Sequence, residues 1–556
     1  MQERTASGDW HTVTYAQALA KVQAIATWLL AQRLGPQQPV AILSENSVEH
    51  GLIALACMHV GTPVATISPA FSLMSKDFAK LQAVVQLLKP GVIYCSDADS
   101  YAAALAAIEP HRDAVVVCAR GVNSDLQRSS ALYARTESDE VDKAFARVGP
   151  QSIARLLFTS GSTGEPKGVI NTHGMLTSNQ AARLQNWPLL AQTAPVVVDW
   201  LPWSHTFGAN HNFNMVLANG GTMVIDAGKP MPGAFETTIR NLREIAPTAY
   251  FNVPRGYDML IAALKADEAL RENFFSRLQL LFYAAAALPQ TSWEALDALS
   301  MQTLHRRVPM LSAWGSTETA PLAVDCHFQA ARSGVIGLPV PGVELKLVPS
   351  GDKQEIRVRG ANVMPGYWQR PDLTVQAFDE EGFYKIGDAV RFVDPDAPQR
   401  GLLFDGRVAE DFKLSSGTWV NVGMLRIRAI EAFAPVAQDI VVAGHDGDAV
   451  KFLVFPNFAA CRKICVLTDE ASVEQVLANA TVRSIVATGL RSLHQASAGA
   501  SSGHAVAALL MQEPASIDAG EITDKGYINQ RAVLVRRAEL LKVLSSNDPA
   551  VIELSR

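Results

Sequence analysis

Between residues 159 and 168 the chain reads Thr-Ser-Gly-Ser-Thr-Gly-Glu-Pro-Lys-Gly, which places four hydroxyls, three glycines and a lysine in ten residues. The run follows directly on Ile153 to Phe158, a mostly apolar stretch that predicts a buried strand. Glycine lets successive backbone N–H groups turn toward one anion, the hydroxyls add donors, and the lysine supplies a compact positive charge. The segment is therefore a candidate phosphate cradle. It is not a Walker A loop, because Pro166 stands where that pattern needs glycine and Gly168 where it needs serine or threonine. Cys461 and Cys465, four apart, share one face of a predicted helix, but no further ligand lies at metal spacing, so core packing is their expected role.

Several elements must hold such a loop. Thr14 reads as the N-cap of a helix from Tyr15 to Ala31, followed by an apolar strand at 39–43, a helix at 48–60 and another strand at 63–67. Apolar strands recur at 91–94, 114–118, 196–201, 221–225, 249–253, 278–283 and 308–313. Strands without polar alternation, separated by helical stretches, predict parallel sheets covered on both faces. The expected fold class is α/β, with a large N-terminal body of two parallel-type sheets. After residue 335 short strands with turns between them (355–359, 383–386, 389–393, 402–405) predict a small β subdomain. A smaller α+β domain with strands at 440–442 and 452–455 follows the charged patch Glu410 to Lys413, giving domains 1–409 and 410–556. The Ala/Ser/Gly-rich run 495–504 reads as a flexible loop.

The chain has 556 residues, 48% of them hydrophobic, and a net charge of −6, enough to bury several cores and without global attraction for nucleic acid or anionic lipid. Neither nucleic acid nor a membrane is an expected partner. The start, MQERTASGDWHTVTY, carries no basic-then-apolar signal pattern, and six scattered cysteines fit a reducing cytoplasm.

The stretch LLFTSGSTGEPKGVINTHGML resembles the phosphate loop of the adenylate-forming superfamily of acyl-CoA synthetases, luciferases and peptide-synthetase adenylation domains. Further segments resemble that superfamily's signatures in the same order: WLPWSHTFG (200–208), AWGSTETAP (313–321), FYKIGDAV (383–390) and DGRVAEDFKLSSGTWV (405–420). The resemblance implies that Thr159, Ser160, Gly161, Ser162, Thr163, Gly164 and Lys167 hold the β- and γ-phosphates of ATP. It makes Glu318 the magnesium ligand, Thr317 a donor to the α-phosphate and Trp314 a flat face for adenine. Asp388 and Arg407, 19 residues apart, would bind the ribose hydroxyls. Lys525 is the candidate catalytic lysine, with Arg531 as a fallback cation. His205 would gate or position the acid. Phe207, His211, Tyr283, Ala285, Ala286, Gly315 and Val340 would line an aryl-acid pocket. Glu410 and Lys413 fall in the matched hinge.

Within the superfamily, GRVAEDFKLSSGTWVNVGMLR and GEITDKGYINQRAVL look most like feruloyl-CoA synthetases, the hydroxycinnamate-activating enzymes. The implied reaction joins an aryl carboxylic acid to AMP from ATP, then passes the acyl group to coenzyme A, with magnesium as cofactor. Another aryl- or fatty-acid-CoA ligase, a carrier-loading or luciferase-like enzyme, and a non-catalytic acyl or nucleotide sensor are the alternatives. A homodimer is the candidate assembly.

Overall fold

A computed structural model of the chain describes all residues except 36, 110–112, 123–125, 135–138, 161–164, 232, 287, 331, 469, 524–527 and 555–556, with the backbone alone at Ser160. The chain divides into two compact units. The first comprises Met1–Lys346, Arg357–Ile386 and Phe392–Leu403; the second comprises Leu347–Ile356, Gly387–Arg391 and Phe404–Arg556.

In the first unit a seven-stranded sheet runs 127–128, 115–120, 92–97, 40–43, 64–67, 153–160, 166–172. All neighbours are parallel except the last two strands, which form an antiparallel hairpin. Both faces are covered, as the unbroken apolar strands require. Val40, Val92, Tyr94 and Val117 meet the helix Tyr15–Ala31 through Ile25, Trp28 and Leu29. Ala41, Leu43, Ile93, Cys95 and Val116 pack on the opposite face against Leu81, Val84, Val85 and Leu88 of the helix Ala79–Leu88. The first helix starts as read: the Thr14 hydroxyl accepts the Gln17 N–H while the Gln17 side chain accepts the Thr14 N–H.

The remaining apolar strands do not make one second sheet. Strands 249–252, 280–283 and 310–315 are parallel and continue antiparallel into 322–326 and 335–339. Strands 196–199 and 222–225 instead pair with 2–4 and 10–12, a short N-terminal hairpin whose polar residues give no strand pattern. The two sheets meet at Thr248, which donates its N–H to Val196 O (2.9 Å) and accepts the Val196 N–H on its hydroxyl (2.8 Å). Hydrogen bonding thus crosses the break without a ladder.

The strands 343–350, 353–360, 384–392 and 402–407 carry the chain between the units. The expected break between 383–386 and 389–393 is absent: Tyr384–Phe392 is one strand. Gly387 lies within it at φ +82°, a backbone state that glycine enters without penalty, so the local bend needs no turn.

The second unit has its own sheet, ordered 437–443, 451–456, 507–510, 551–553. Helices Val422–Ala432 and Ala480–Ala496 cover one face through Leu425, Ala429, Val486 and Leu490, and Val533 and Leu544 cover the other. Cys461 is buried in the first of these cores and Cys465 packs against it. The helix ending at Ala496 absorbs the first two residues of the expected loop 495–504, and His494 Nδ1 lies 3.0 Å from His504 Nε2 across the rest. Among the described residues no helix is long and apolar enough to cross a membrane.

Candidate active site

Local pairing fixes the candidate phosphate loop at both ends. Strands Ile153–Ser160 and Pro166–Thr172 set Thr159 opposite Lys167 and Ser160 opposite Pro166. Gly161, Ser162, Thr163 and Gly164 lie outside the described residues. The second strand also holds residues 366–368: Trp368 N–H donates to Gly168 O (2.7 Å), Ile170 N–H donates to Gly366 O (3.2 Å), and Val169 bridges Tyr367. A Cβ at Gly168 would lie 3.2 Å from Trp368 Cβ, a tight contact.

This pairing delivers Tyr367 to Lys167. Its ring lies 5.4 Å from Lys167 Nζ, and its hydroxyl donates to Glu318 Oε1 at 3.1 Å. The Tyr384 hydroxyl joins the same cluster; burial and the nearby Glu318 carboxylate push both phenols up from the usual tyrosine range. Glu318 stands in the short 3-10 turn Thr317–Thr319 behind the strand Met310–Gly315, and Met364 N–H holds its backbone oxygen at 2.8 Å. Only 8% of Glu318 is exposed. Thr317 is buried beside it, and its carbonyl accepts from Asn171 Nδ2 (3.2 Å). Asn171 Oδ1 in turn accepts from Asn210 Nδ2 (2.6 Å), which also reaches Thr206 Oγ1 (3.1 Å). Three segments distant in sequence are thereby tied together. Before this turn Trp314 is buried, and a Cβ at Gly315 would fall 1.7 Å from Pro321 O, so only glycine fits.

Glu318 and Thr317 suit a magnesium ion that arrives with phosphates, because such an ion takes one or two protein carboxylates and leaves its other positions to phosphate and water. Among the described residues no group of three or more His, Cys, Asp or Glu forms a separate metal cage.

The aromatic region is built on Phe207–Phe213, seven residues wound as a π-helix, a form concentrated at functional sites. Gly208 lets this segment close on Leu201 O and Pro202 O, which a Cβ would meet at 2.4 and 2.5 Å. His205, partly buried, accepts the Phe207 N–H on Nδ1 at 3.2 Å. The His211 ring lies among Phe207, Phe251, Phe282 and Trp187, with centroids 5.4, 5.5, 4.7 and 5.9 Å away. Burial, reinforced by the Arg183 charge, drives His211 well below the usual histidine range, so it is neutral.

Of the expected pocket residues, the structure brings Phe207 and His211 together. Tyr283 is not with them. It follows Phe282 on one strand and so faces the other way, into the core with Leu296 and Leu299. Val340 packs with Ala182 and Leu322. Ala285 and Ala286 are exposed just past the strand, and Ala285 takes φ +75°, an uncommon backbone state for a non-glycine residue. Trp187, Phe251, Phe282 and Tyr367 lie outside the segments quoted from the sequence; Asn171 and Tyr384 stand inside quoted segments without being singled out, and the repeated asparagines in ANHNFN (209–214) were a further hint.

In the second unit Asp388 is mostly buried and its carboxylate lies 3.5 Å from Arg407 Nε. Glu410 N–H donates to Arg407 O (3.2 Å). Lys413 pairs with Trp419 across a short two-strand ladder, its Nζ 4.9 Å from the Trp419 ring. Between them Asp411 forms a largely buried ion pair with Lys353 and accepts the Val422 N–H at 3.0 Å. Lys525 lies outside the described residues; Ile522 and Ile528 bridge across its segment, and Arg531 is exposed on the helix Gln530–Arg536.

The first unit is a mainly parallel α/β body in which Tyr367 links Lys167 to the buried carboxylate of Glu318. The model of the family described as AMP-binding enzyme matches residues 1–368. The chain belongs to that family, within the adenylate-forming superfamily. It is 27% identical over 501 residues to a carboxylic acid reductase of Mycobacterium tuberculosis, covering 80% of this chain and 40% of that protein. It is 28% identical over 398 residues to a feruloyl-CoA synthase of Amycolatopsis sp, covering 69% of this chain and 72% of that protein. Among solved structures, ATP-bound MatB from Rhodopseudomonas palustris matches with a TM-score of 0.71 at 22% identity, covering 97% of this chain and 96% of that one. That likeness bears on the fold.

Proposed function

We propose that this chain is an AMP-forming acid–thiol ligase that activates ferulate and related hydroxycinnamates with ATP and then transfers the acyl group to coenzyme A. The observation that carries the reading is the cluster Lys167–Tyr367–Glu318, which brings a lysine and a buried carboxylate to one tyrosine. Carboxylates are poor electrophiles near neutral pH, and transfer to AMP gives them a leaving group. That step brings two anions together, so positive charge and fixed donors must meet them.

In this reading Thr159 to Gly164 and Lys167 hold the β- and γ-phosphates, and Trp314 flanks adenine. Asp388 accepts from the ribose hydroxyls, with Arg407 adding donors. Glu318 and Thr317 would hold a magnesium ion, which when bound offsets phosphate charge. Lys525 bridges the acid carboxylate and the α-phosphate as the new bond forms. His205 positions the acid, Phe207 and His211 line its pocket, and Ala285, Ala286 and Gly315 flank the ring. Residues 410–556 act as a mobile domain, turning about Glu410 to Lys413 between half-reactions. A cytoplasmic location and a homodimer belong to the same reading.

Support comes from the similarity to a feruloyl-CoA synthase and from the aromatic side chains Phe207, Phe251 and Phe282 gathered around His211. The test is a panel of ferulate, p-coumarate, caffeate, benzoate and fatty acids, scored for pyrophosphate release and for coenzyme A thioester by absorbance. Thioester formed from the hydroxycinnamates is the expected result. Acid-dependent pyrophosphate without thioester would transfer the adenylate to a different acceptor, and no pyrophosphate with any acid would overturn the reading.

A further inference from the structure

Two thiols that the ligase chemistry does not use face each other in the seven-stranded sheet. Cys95 on strand Val92–Asp97 and Cys118 on strand Val115–Arg120 are register partners, and the two strands run parallel. Their sulfurs lean the same way: Cys95 Sγ donates to Asp97 O (3.4 Å) and Cys118 Sγ to Arg120 O (3.1 Å), each two residues ahead in its own strand. Neighbouring strands lie about 4.8 Å apart, within the roughly 4.4–6.8 Å between Cα atoms that a disulfide spans. All six cysteines are free thiols.

The surroundings make the two thiols unequal. Cys118 is also the register partner of Arg128 on the edge strand Gln127–Arg128, so it stands between a thiol and a guanidinium-bearing residue. A hydrogen bond from the Cys95 thiol, aided by the Arg128 charge, lowers the Cys118 thiol against burial and the Asp97 charge; the same bond, with burial, raises Cys95. Cys118 is therefore the readier nucleophile and Cys95 the resolving partner. Both residues are buried, yet two positions further along their strands Asp97 and Arg120 form an ion pair at 3.9 Å in which the Arg120 side chain is 76% exposed. The thiols thus lie one pleat beneath the solvent-facing end of the sheet.

We infer that Cys95 and Cys118 are an oxidisable dithiol, joined as a disulfide by hydrogen peroxide and reopened by thiol reductants. The Cys118 thiolate attacks one peroxide oxygen, the O–O bond breaks, and a sulfenic acid forms as hydroxide leaves and takes up the Cys118 proton. The Cys95 sulfur then displaces the sulfenic oxygen, which departs as water with the Cys95 proton. Two thiols and one peroxide give one disulfide and two waters. The linked product carries no added atom and needs no room beyond that of the two thiols, whereas a mixed disulfide with a larger thiol would. The oxidant enters by brief local opening at the sheet edge, where strand Gln127–Arg128 supplies only two residues of pairing. The inference is independent of the ligase reading.

The test treats the full chain with excess hydrogen peroxide, blocks remaining thiols in denaturant and reads unreduced peptides by mass spectrometry. The expected product is a peptide pair joined through Cys95 and Cys118, about 2 Da lighter than its two thiol forms together and lost after dithiothreitol. Cys57 and Cys326, buried and with thiols raised by that burial, are expected to react at least about 10-fold more slowly. Cys95→Ser is expected to leave a Cys118 sulfenic acid that dimedone traps, and Cys118→Ser to leave Cys95 a thiol. Both thiols intact under excess peroxide, or sulfinic acid at Cys118 of the wild-type chain with no joined peptide, overturns the inference. So does joining that occurs only after denaturation, a comparison that needs the wild-type protein alone and decides the matter should either variant fail to fold.

Discussion

Glu318 has one carboxylate oxygen engaged by Tyr367 and is nearly closed off from water, so the group is oriented before any nucleotide binds. Glu318→Gln keeps the shape and removes the charge. It is expected to slow adenylation by about 100-fold, the scale of losing one preorganised electrostatic contact, while thioester formation from supplied acyl-adenylate stays near wild type. Lys525→Ala is expected to give the same split more severely, and measuring the two half-reactions separately checks both variants. If Lys525→Ala spares both half-reactions, the bridging lysine is another residue. The loop and Glu318 could be proposed from sequence because their chemistry is written in neighbouring residues. Tyr367 was not: it reaches Glu318 only because strand 166–172 pairs with residues 366–368, about which adjacent residues say nothing.

Between elements, buried asparagines do the tying. Asn171 joins the hairpin strand to the Thr317 turn and to the π-helix through Asn210. Asn171→Ala would leave the Thr317 carbonyl without this donor and one Asn210 contact unmade. A loss of about 2 kcal/mol in chemical denaturation is expected, with reduced adenylation because the turn bearing Glu318 loosens. A loss under about 0.5 kcal/mol would mean the network is not what fixes the turn. At this scale the sequence read well wherever a local rule applied, as with the Thr14 cap and the apolar parallel strands. It read poorly where long-range pairing decided, as with the polar strands 2–4 and 10–12, or where glycine carried a strand through an expected turn, as at Gly387.

For the molecule as a whole, buried histidines set part of the acid limit of stability. His50 is fully enclosed, edge-on to Trp203, with Nδ1 3.1 Å from Glu45 O. Burial, helped by the Arg155 charge and opposed by that backbone bond, lowers its pKa to about 4. The unfolded chain takes up this proton near pH 6.5 and the folded chain only near 4, so stability falls as pH drops through that window. The shift corresponds to roughly 3 kcal/mol. His50→Gln is expected to remove that part of the decline, read as a shallower fall of Tm between pH 7 and pH 4; an unchanged slope would show that His50 does not titrate in this way. The π-helix has a consequence of another kind. Its seven residues fit a wider winding than 3.6 per turn, so deleting one would let the segment tighten and swing every later side chain by about 100°. Segment length, more than side-chain identity, is then the coarse dial by which such a scaffold could be retuned to acids of a different outline.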